Sequence, residues 1–202
     1  MYSFFATISR MKYIERWALM RSSRPENLSE HALEVACIAH VLCTIGNVRY
    51  AKNLDADRAA ILGLYHDATE IITGDMPTPV KYHNREILHA YHEVEEAAAK
   101  RLLELLPDDL RGTYTEILLP EKTEDPSVSP DRDYLRRLVK AADKISALIK
   151  CLEEENAGNG EFSTAKRTIR EAVDEMMSQM PEVADFCRDF LPAYGSTLDE
   201  LL

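Results

Sequence analysis

Apolar residues recur along this chain at spacings of three and four, and the punctuation between the runs is helical. There is no convincing alternating strand, and no Asn-Gly or Asp-Gly pair stands between alternating segments. Asn27 reads as an N-cap, with Glu30 three residues later completing a capping-box pattern. The helix it opens carries Leu33, Val35, Ala36, Ile38, Ala39 and Leu42, and Gly46-Asn47 supplies its stop signal. A second helix starts near Asp55 or Asp57, carries Ile61, Leu62, Leu64, Tyr65, Ala68, Ile71 and Ile72, and stops at Gly74. It is apolar over much of its circumference, which places it at the centre of the expected fold.

Asp75-Met76-Pro77-Thr78-Pro79 follows, and its two prolines fix φ and make a stiff loop. A third helix opens at Asn84 and ends before Pro107, with Ile87, Leu88, Tyr91, Val94, Ala98, Leu102 and Leu105 as its stripe. A short helix spans Asp108–Leu118, and the Pro-, Ser- and acid-rich stretch Pro120–Asp133 reads as an exposed loop. A long helix then runs from about Asp131 to Asn156 and ends at Gly158-Asn159-Gly160. Further helices cover about Ser163–Met180 and Glu182–Leu191, and the tail Thr197–Leu202 extends or frays. The pattern predicts one all-α domain over residues 1–202, a bundle of about six to eight helices without internal repeats.

Composition narrows the function classes. At 202 residues, folding buries roughly 70% of the unfolded surface, so a core forms without staples. Seven Gly and nine Pro exclude collagen-like and low-complexity readings. No apolar run approaches the roughly 18–20 residues of a membrane span, and Met1–Phe5 lacks the basic start of a signal peptide. A cytoplasmic location without membrane attachment is the expectation. The net charge of −11 argues against nucleic-acid binding, which needs a basic face. One local exception stands out. Within Met1–Pro25 the cations Arg10, Lys12, Arg16, Arg21 and Arg24 face the single anion Glu15, a setting that suits one small phosphate ligand. Taken alone, the same charges also describe the solvated face of a helix. Cys37, Cys43, Cys151 and Cys187 form no CxxC pair and read as reduced, mostly buried residues.

Candidate chemistry lies in the second helix. His66-Asp67 sits among its apolar residues, and bare charge there is expensive. Glu70 follows His66 by four and Asp67 by three, so the three side chains share one flank. His31 lies in the first turn of the capped helix, and Asp143 lies on or beside the apolar stripe of the long helix. A divalent cation bound by neutral imidazole nitrogens and carboxylate oxygens accounts for all four groups. Two His and two Asp without a thiolate suit one ion of Mn²⁺, Co²⁺, Fe²⁺ or Zn²⁺ alike. The alternatives are a hydrogen-bonded network for His66-Asp67-Glu70 and a salt bridge to Lys140 or Lys144 for Asp143.

His31, His66-Asp67 and Asp143 resemble the H…HD…D signature of the HD-domain metal-dependent phosphohydrolases. Further segments resemble the bacterial 5′-deoxynucleotidase (YfbR-type) branch: Arg16-Trp17, Arg24 through His31, His66 through Glu70, Gly74 through Lys81, and Lys150 through Glu154. The resemblance covers nearly the whole chain. It implies an all-α HD domain, a homodimer, and hydrolysis of deoxyribonucleoside 5′-monophosphates with low base specificity. It also implies that His31, His66, Asp67 and Asp143 hold the metal and line the substrate site. Arg16 then orients the phosphate, Trp17 encloses the substrate, Asp75 with the backbone of Met76, Pro77 and Thr78 contacts the sugar, and Glu70 acts on the attacking water.

Those roles agree with elementary chemistry. A metal eases deprotonation of water, Asp67 or Glu70 can accept a proton, and the planar Arg16 fork can bond two phosphoryl oxygens. Two other readings are carried forward. One is a different HD phosphohydrolase acting on a cyclic nucleotide, a nucleoside triphosphate or an alarmone. The other is a non-catalytic nucleotide-binding HD protein. His40, His83, His89 and His92 are expected to have no catalytic role, and Glu153-Glu154-Glu155 reads as a solvated face. The chain departs from the family at Ala18, where relatives often carry Pro, and in the long Pro120–Asp133 stretch.

Overall fold

Asn27 caps the first long helix as its sequence position predicts: its Oδ1 accepts from the Ser29 and Glu30 amides at 3.0 and 3.1 Å. Asn84 does the same for a later helix, accepting from the Ile87 amide at 2.8 Å. In the computed structural model, which describes residues 1–81, 83–119 and 130–202, these caps belong to an all-α architecture. The order is α1 (Phe4–Ile8), a 3₁₀ segment (Ser9–Tyr13), β1 (Glu15–Arg16), β2 (Glu26–Asn27), α2 (Leu28–Tyr50), α3 (Ala56–Tyr65), α4 (Glu70–Thr73) and α5 (Thr78–Lys81). There follow α6 (Arg85–Leu103), α7 (Asp108–Leu118), α8 (Pro130–Asn156), α9 (Ser163–Gln179), α10 (Pro181–Asp189) and α11 (Leu198–Leu201). Short 3₁₀ segments precede α9 (Gly160–Phe162) and follow α10 (Leu191–Gly195). Among the described residues seven helices reach nine residues or more, within the expected six to eight. Of the exposed-loop expectation for Pro120–Asp133, residues 120–129 lie outside the described residues, and 130–133 are already helical.

Three expectations need correction. First, α2 does not stop at Gly46-Asn47 but runs to Tyr50, and Ala51 takes the left-handed turn with φ 50°. Asn47 ties down the following loop: it donates to the Leu54 carbonyl at 2.9 Å and accepts from the Leu54 amide at 2.7 Å. Second, the helix expected through to Gly74 breaks into α3 and α4, with His66–Thr69 as a turn between them. Tight bonds from Ala68 N to Tyr65 O (3.0 Å) and from Glu70 N to Asp67 O (3.0 Å) replace the helical ladder there. Ile61, Leu64 and Ile72 are exposed, so this segment is buried on one side only. Third, α2 is apolar and long enough to span a bilayer by length and composition, with an 18-residue window of mean hydropathy 1.4. That window is 56% buried, and His31, 0% exposed, lies in the helix, which fits a core helix of a globular protein.

The residues group into two compact units, each assembled from separate stretches: Met1–Leu19, Pro25–Ala32 and Leu64–Val128 in one, Met20–Arg24, Leu33–Gly63 and Ser129–Leu202 in the other. In the first, buried Phe4 packs with Ala68, Ala99, Leu102, Leu103, Leu106 and Leu118, and Tyr65 and Tyr114 close over this cluster. Ala68 and Tyr65 thus pin both sides of the His66-Asp67 turn. A smaller cluster of Met11, Leu28 and Ala32, with Ile71 against it, fixes the first turn of α2, where His31 stands.

In the second unit α8 packs on α9 and on the Leu191–Gly195 segment, and α9 packs on α10. Gly63 of α3 lies against α2, where an added Cβ would come within 2.8 Å of Ala36 Cα and 3.0 Å of Ala36 N. Backbone cannot retreat as a flexible side chain can, so Gly63→Ala is expected to destabilise the fold by about 1–3 kcal/mol. Thermal unfolding checks this, and an unchanged melting temperature refutes it.

Polar groups also hold this unit together. Glu182, 0% exposed, takes Lys52 Nζ at 2.5 Å and the Tyr134 hydroxyl at 2.8 Å. Glu154, read above as part of a solvated face, is 1% exposed. It pairs with buried Lys150 and accepts from the Ser23 amide at 2.8 Å and from Asn159 Nδ2 at 2.7 Å. Lys150 Nζ also donates to the Arg24 carbonyl at 2.6 Å. Burial alone would raise the Glu154 pKa, but Lys150, the Ser23 amide and Asn159 overcome it and lower the pKa to about 2. Among the cysteines Cys43, Cys151 and Cys187 are buried, whereas Cys37 is exposed.

Candidate metal centre and active site

His31 lies four residues into α2, fully buried, and faces the turn that carries His66 and Asp67. The two imidazole rings stand 5.1 Å apart, inclined by 61°. Asp67 Oδ2 lies 3.0 Å from His66 Nε2 and 3.6 Å from His31 Nε2. One ligand atom from each residue falls within 4.8 Å of the other two. Two imidazole nitrogens and one carboxylate oxygen at this spacing form a donor set suited to a divalent transition metal, so the residues fit the ion that the motif implies. The break between α3 and α4 changes how they meet. They converge because the chain turns at Asp67, and helical spacing alone does not place them.

Glu70 opens α4 and is 8% exposed. Its Oε2 is buried without a hydrogen-bond partner among the described residues. Burial, and then the charges of Asp67 and Asp75, push its pKa up to about 9, while Arg16 and Lys81 act in the opposite sense. Glu70 therefore carries a proton at neutral pH in the protein alone, and carboxylates, an arginine and a lysine surround it at electrostatic range. Gly74 ends α4 with φ 72°, a conformation open to glycine, and turns the chain into Asp75-Met76-Pro77. The stiff loop is shorter than its sequence suggests, because Thr78 already begins α5.

Asp75 reaches the Arg16-Trp17 corner: its Oδ2 accepts from the Trp17 amide at 3.1 Å. Trp17 holds φ at 59°, in the left-handed region that a bulky side chain avoids. Arg16 in β1 pairs across to Glu26 in β2. Arg16 Nη1 and Trp17 Nε1 both donate to Glu26 Oε2, at 2.7 and 3.0 Å. The Arg16 guanidinium lies over the Trp17 ring, 5.6 Å from its centroid. Of the five N-terminal cations, Arg16 alone is substantially shielded, and Arg10, Lys12, Arg21 and Arg24 are exposed.

The structure thus gathers His31, His66 and Asp67, surrounds Glu70 with charged neighbours, and links Asp75 to Trp17. Met76 and Pro77 are half-buried in the connecting loop. Asp143 lies mid-way along α8 in the second unit, where its Oδ2 is 3.3 Å from Lys144 Nζ. The sequence reading gave no separate role to Glu26. The available signal was a carboxylate two residues from Arg24 inside a matched segment, with no pattern linking it to Arg16.

Comparison with known proteins narrows the chemistry. The profile of the 5′-deoxynucleotidase YfbR-like family matches residues 3–194. A 5′-deoxynucleotidase of Vibrio cholerae is 45% identical over 98% of this chain and 97% of its own, and one of Erwinia tasmaniensis is 43% identical over 98% and 95%. Among solved structures, an HD-domain phosphohydrolase of Listeria innocua superposes with a TM-score of 0.78 at 22% identity, covering 95% of this chain and 88% of the other. The HD phosphohydrolase of cyanophage S-2L, bound to dA and one catalytic Zn²⁺ ion, superposes with a TM-score of 0.64 at 19% identity, covering 95% and 96%. At those identities the two structures speak for the fold.

Proposed function

Because the chain belongs to the YfbR-like 5′-deoxynucleotidase family, we propose that it hydrolyses deoxyribonucleoside 5′-monophosphates to deoxynucleoside and phosphate, with low base specificity. The observation that carries this reading is the convergence of His31, His66 and Asp67 within 4.8 Å, beside a Glu70 that feels the Arg16 charge. His31, His66 and Asp67 hold one divalent ion, Co²⁺ or Mn²⁺ before Zn²⁺ or Fe²⁺, and the sequence motif supplies Asp143 as the fourth ligand. Such an ion offsets charge on phosphoryl oxygens and makes water easier to deprotonate.

The chain's own groups do the rest. Arg16 presents a planar fork to two phosphoryl oxygens and stabilises the charge spread over them in a loose, in-line transition state. Trp17 walls off the substrate. Asp75 accepts from the 3′-hydroxyl, and the backbone of Met76, Pro77 and Thr78 lies along the sugar, leaving no space for a 2′-hydroxyl. Glu70 exchanges a proton at Oε2, the buried oxygen, with Asp67 orienting the attacking water. We take residues 1–202 as one HD domain and as homodimeric on the family resemblance, with a cytoplasmic location as the default reading of the sequence.

Purified protein supplied with Co²⁺ or Mn²⁺ is expected to release phosphate from deoxyribonucleoside 5′-monophosphates and hardly at all from matched ribonucleotides. Equal rates on the two sugars sink the sugar selection. Pyrophosphate or a linear monophosphate as product points to another HD chemistry, and metal-dependent melting without turnover points to a binding protein.

A further inference from the structure

The Arg16-Trp17 corner is strained and yet held from several sides. Trp17 has φ 59°, a conformation that persists only where neighbours over-determine it. Its amide is fixed by Asp75 and its indole by Glu26. Arg16 is anchored through Nη1 to the same Glu26 oxygen that receives the indole. This pair is largely out of water, with side chains 11% and 13% exposed, so screening weakens it far less than a surface ion pair. One carboxylate oxygen therefore sets the rotamers of both side chains, and with the guanidinium over the indole the three form one rigid unit. A guanidinium carries five N–H donors in a fixed fork, so a bond to Glu26 is compatible with simultaneous capture of a phosphate.

We propose that Glu26 is a positioning residue: through its Oε2 it locks Arg16 and Trp17 into the geometry that receives the substrate phosphate. This rests on the deoxynucleotidase reading for its catalytic consequence, but not for the hold on Trp17 itself. The position is not one where charge alone helps. A carboxylate near a phosphate repels it, so a group that acted only through its field would be better absent. What Glu26 supplies is orientation, and misplacing a binding group by about 1 Å can cost on the order of 100-fold in rate.

The test uses the full-length protein with metal. Glu26→Ala is expected to lower kcat/KM for a deoxyribonucleoside monophosphate by roughly 10–100-fold, with most of the loss in kcat. Glu26→Gln keeps an acceptor oxygen at the same reach and is expected to restore a substantial part. In an Arg16→Ala background, removing Glu26 should cost less than about threefold more, because the group it positions is gone. Trp17 is the chain's one tryptophan, so its fluorescence reads the corner directly. Acrylamide quenching should rise in Glu26→Ala and stay near the parent's in Glu26→Gln.

Independent, multiplying losses in the double variant, or full activity with unchanged quenching in Glu26→Ala, overturn the proposal. If Glu26→Ala does not fold, Glu26→Asp, which keeps the charge but draws the oxygen back by one methylene from both donors, carries the test: full activity with unchanged quenching then overturns it. If the parent releases no phosphate from any deoxynucleotide, the deoxynucleotidase reading falls, and the quenching series alone decides whether Glu26 holds Trp17.

Discussion

Asp67→Ala is expected to abolish stoichiometric binding of a divalent metal and to lower kcat/KM for deoxynucleoside monophosphates by at least about 1,000-fold. The size follows from the several kcal/mol that a metal contributes to stabilising phosphoryl-transfer charge. The cause is geometric, since Asp67 Oδ2 lies 3.0 Å from His66 Nε2 and 3.6 Å from His31 Nε2. Its removal takes away the carboxylate gathered with the two imidazoles and leaves a weaker donor set. The fold is expected to survive. In the metal-free protein the Asp67 charge is one of the causes that keep Glu70 protonated, and with Glu70 neutral its removal should leave the apo melting temperature level. Calorimetric titration with Mn²⁺ and an apo melting curve read the two effects separately. Retention of one tightly bound ion, or of more than a few per cent of the activity, refutes the assignment.

Lys150→Ala is expected to cost about 3–5 kcal/mol of stability, because it strands a buried carboxylate. In a chain of this size that amounts to a fall of roughly 10 °C in melting temperature. The Lys150–Glu154 pair differs from a simple buried ion pair, which apolar residues can often replace without loss. Glu154 also receives the Ser23 amide, and Lys150 also serves the Arg24 carbonyl. A Lys150→Met, Glu154→Leu double variant therefore leaves backbone groups unsatisfied and is expected to recover only part of the loss. Full recovery refutes the stapling role. The same network gives a pH signature. Glu154 is held at about 2, against an ordinary value of 4.5. Its stabilisation is complete above about pH 4.5 and is lost as pH falls from there toward 2. Asp185 and Asp189, lowered first of all by arginine hydrogen bonds, act in the same direction, so the diagnostic quantity is a difference. Urea midpoints of the parent and of Glu154→Gln should converge as the pH drops through that window. Parallel curves contradict it.

What the sequence revealed depended on how far the causes lie along the chain. The caps at Asn27 and Asn84 were legible because cap and capped amide are three residues apart. The candidate cluster of His31, His66 and Asp67 was suggested by the adjacency of His66 and Asp67 and by the family signature they carry. The turn that presents them was not, since Ile61 through Ile72 keep a helical period straight across it. Its cause is the burial of Ala68 beside Phe4 and Leu102, which no local pattern encodes. Gly46 looked like a helix stop because glycine commonly is one, whereas here it packs against Glu182. Glu154 was misread because three consecutive glutamates resemble a solvated face, and its partner Ser23 is 131 residues away. The two-residue strands that bring Glu26 beside Arg16 are too short to show any alternation.

The interleaving of the two units has a consequence for biosynthesis. Met20–Arg24 and Leu33–Gly63 belong with Ser129–Leu202, and their ties, such as Arg49 to Asp185, span 136 residues. A nascent chain emerging from the ribosome must therefore hold its early α2 segment unsatisfied until residues 129–202 have followed it. Closing such long loops is entropically slow, and the waiting apolar surface invites aggregation. Neither unit can be obtained by cutting the chain at a single point, so folding of one unit ahead of the other during synthesis is not open to this chain.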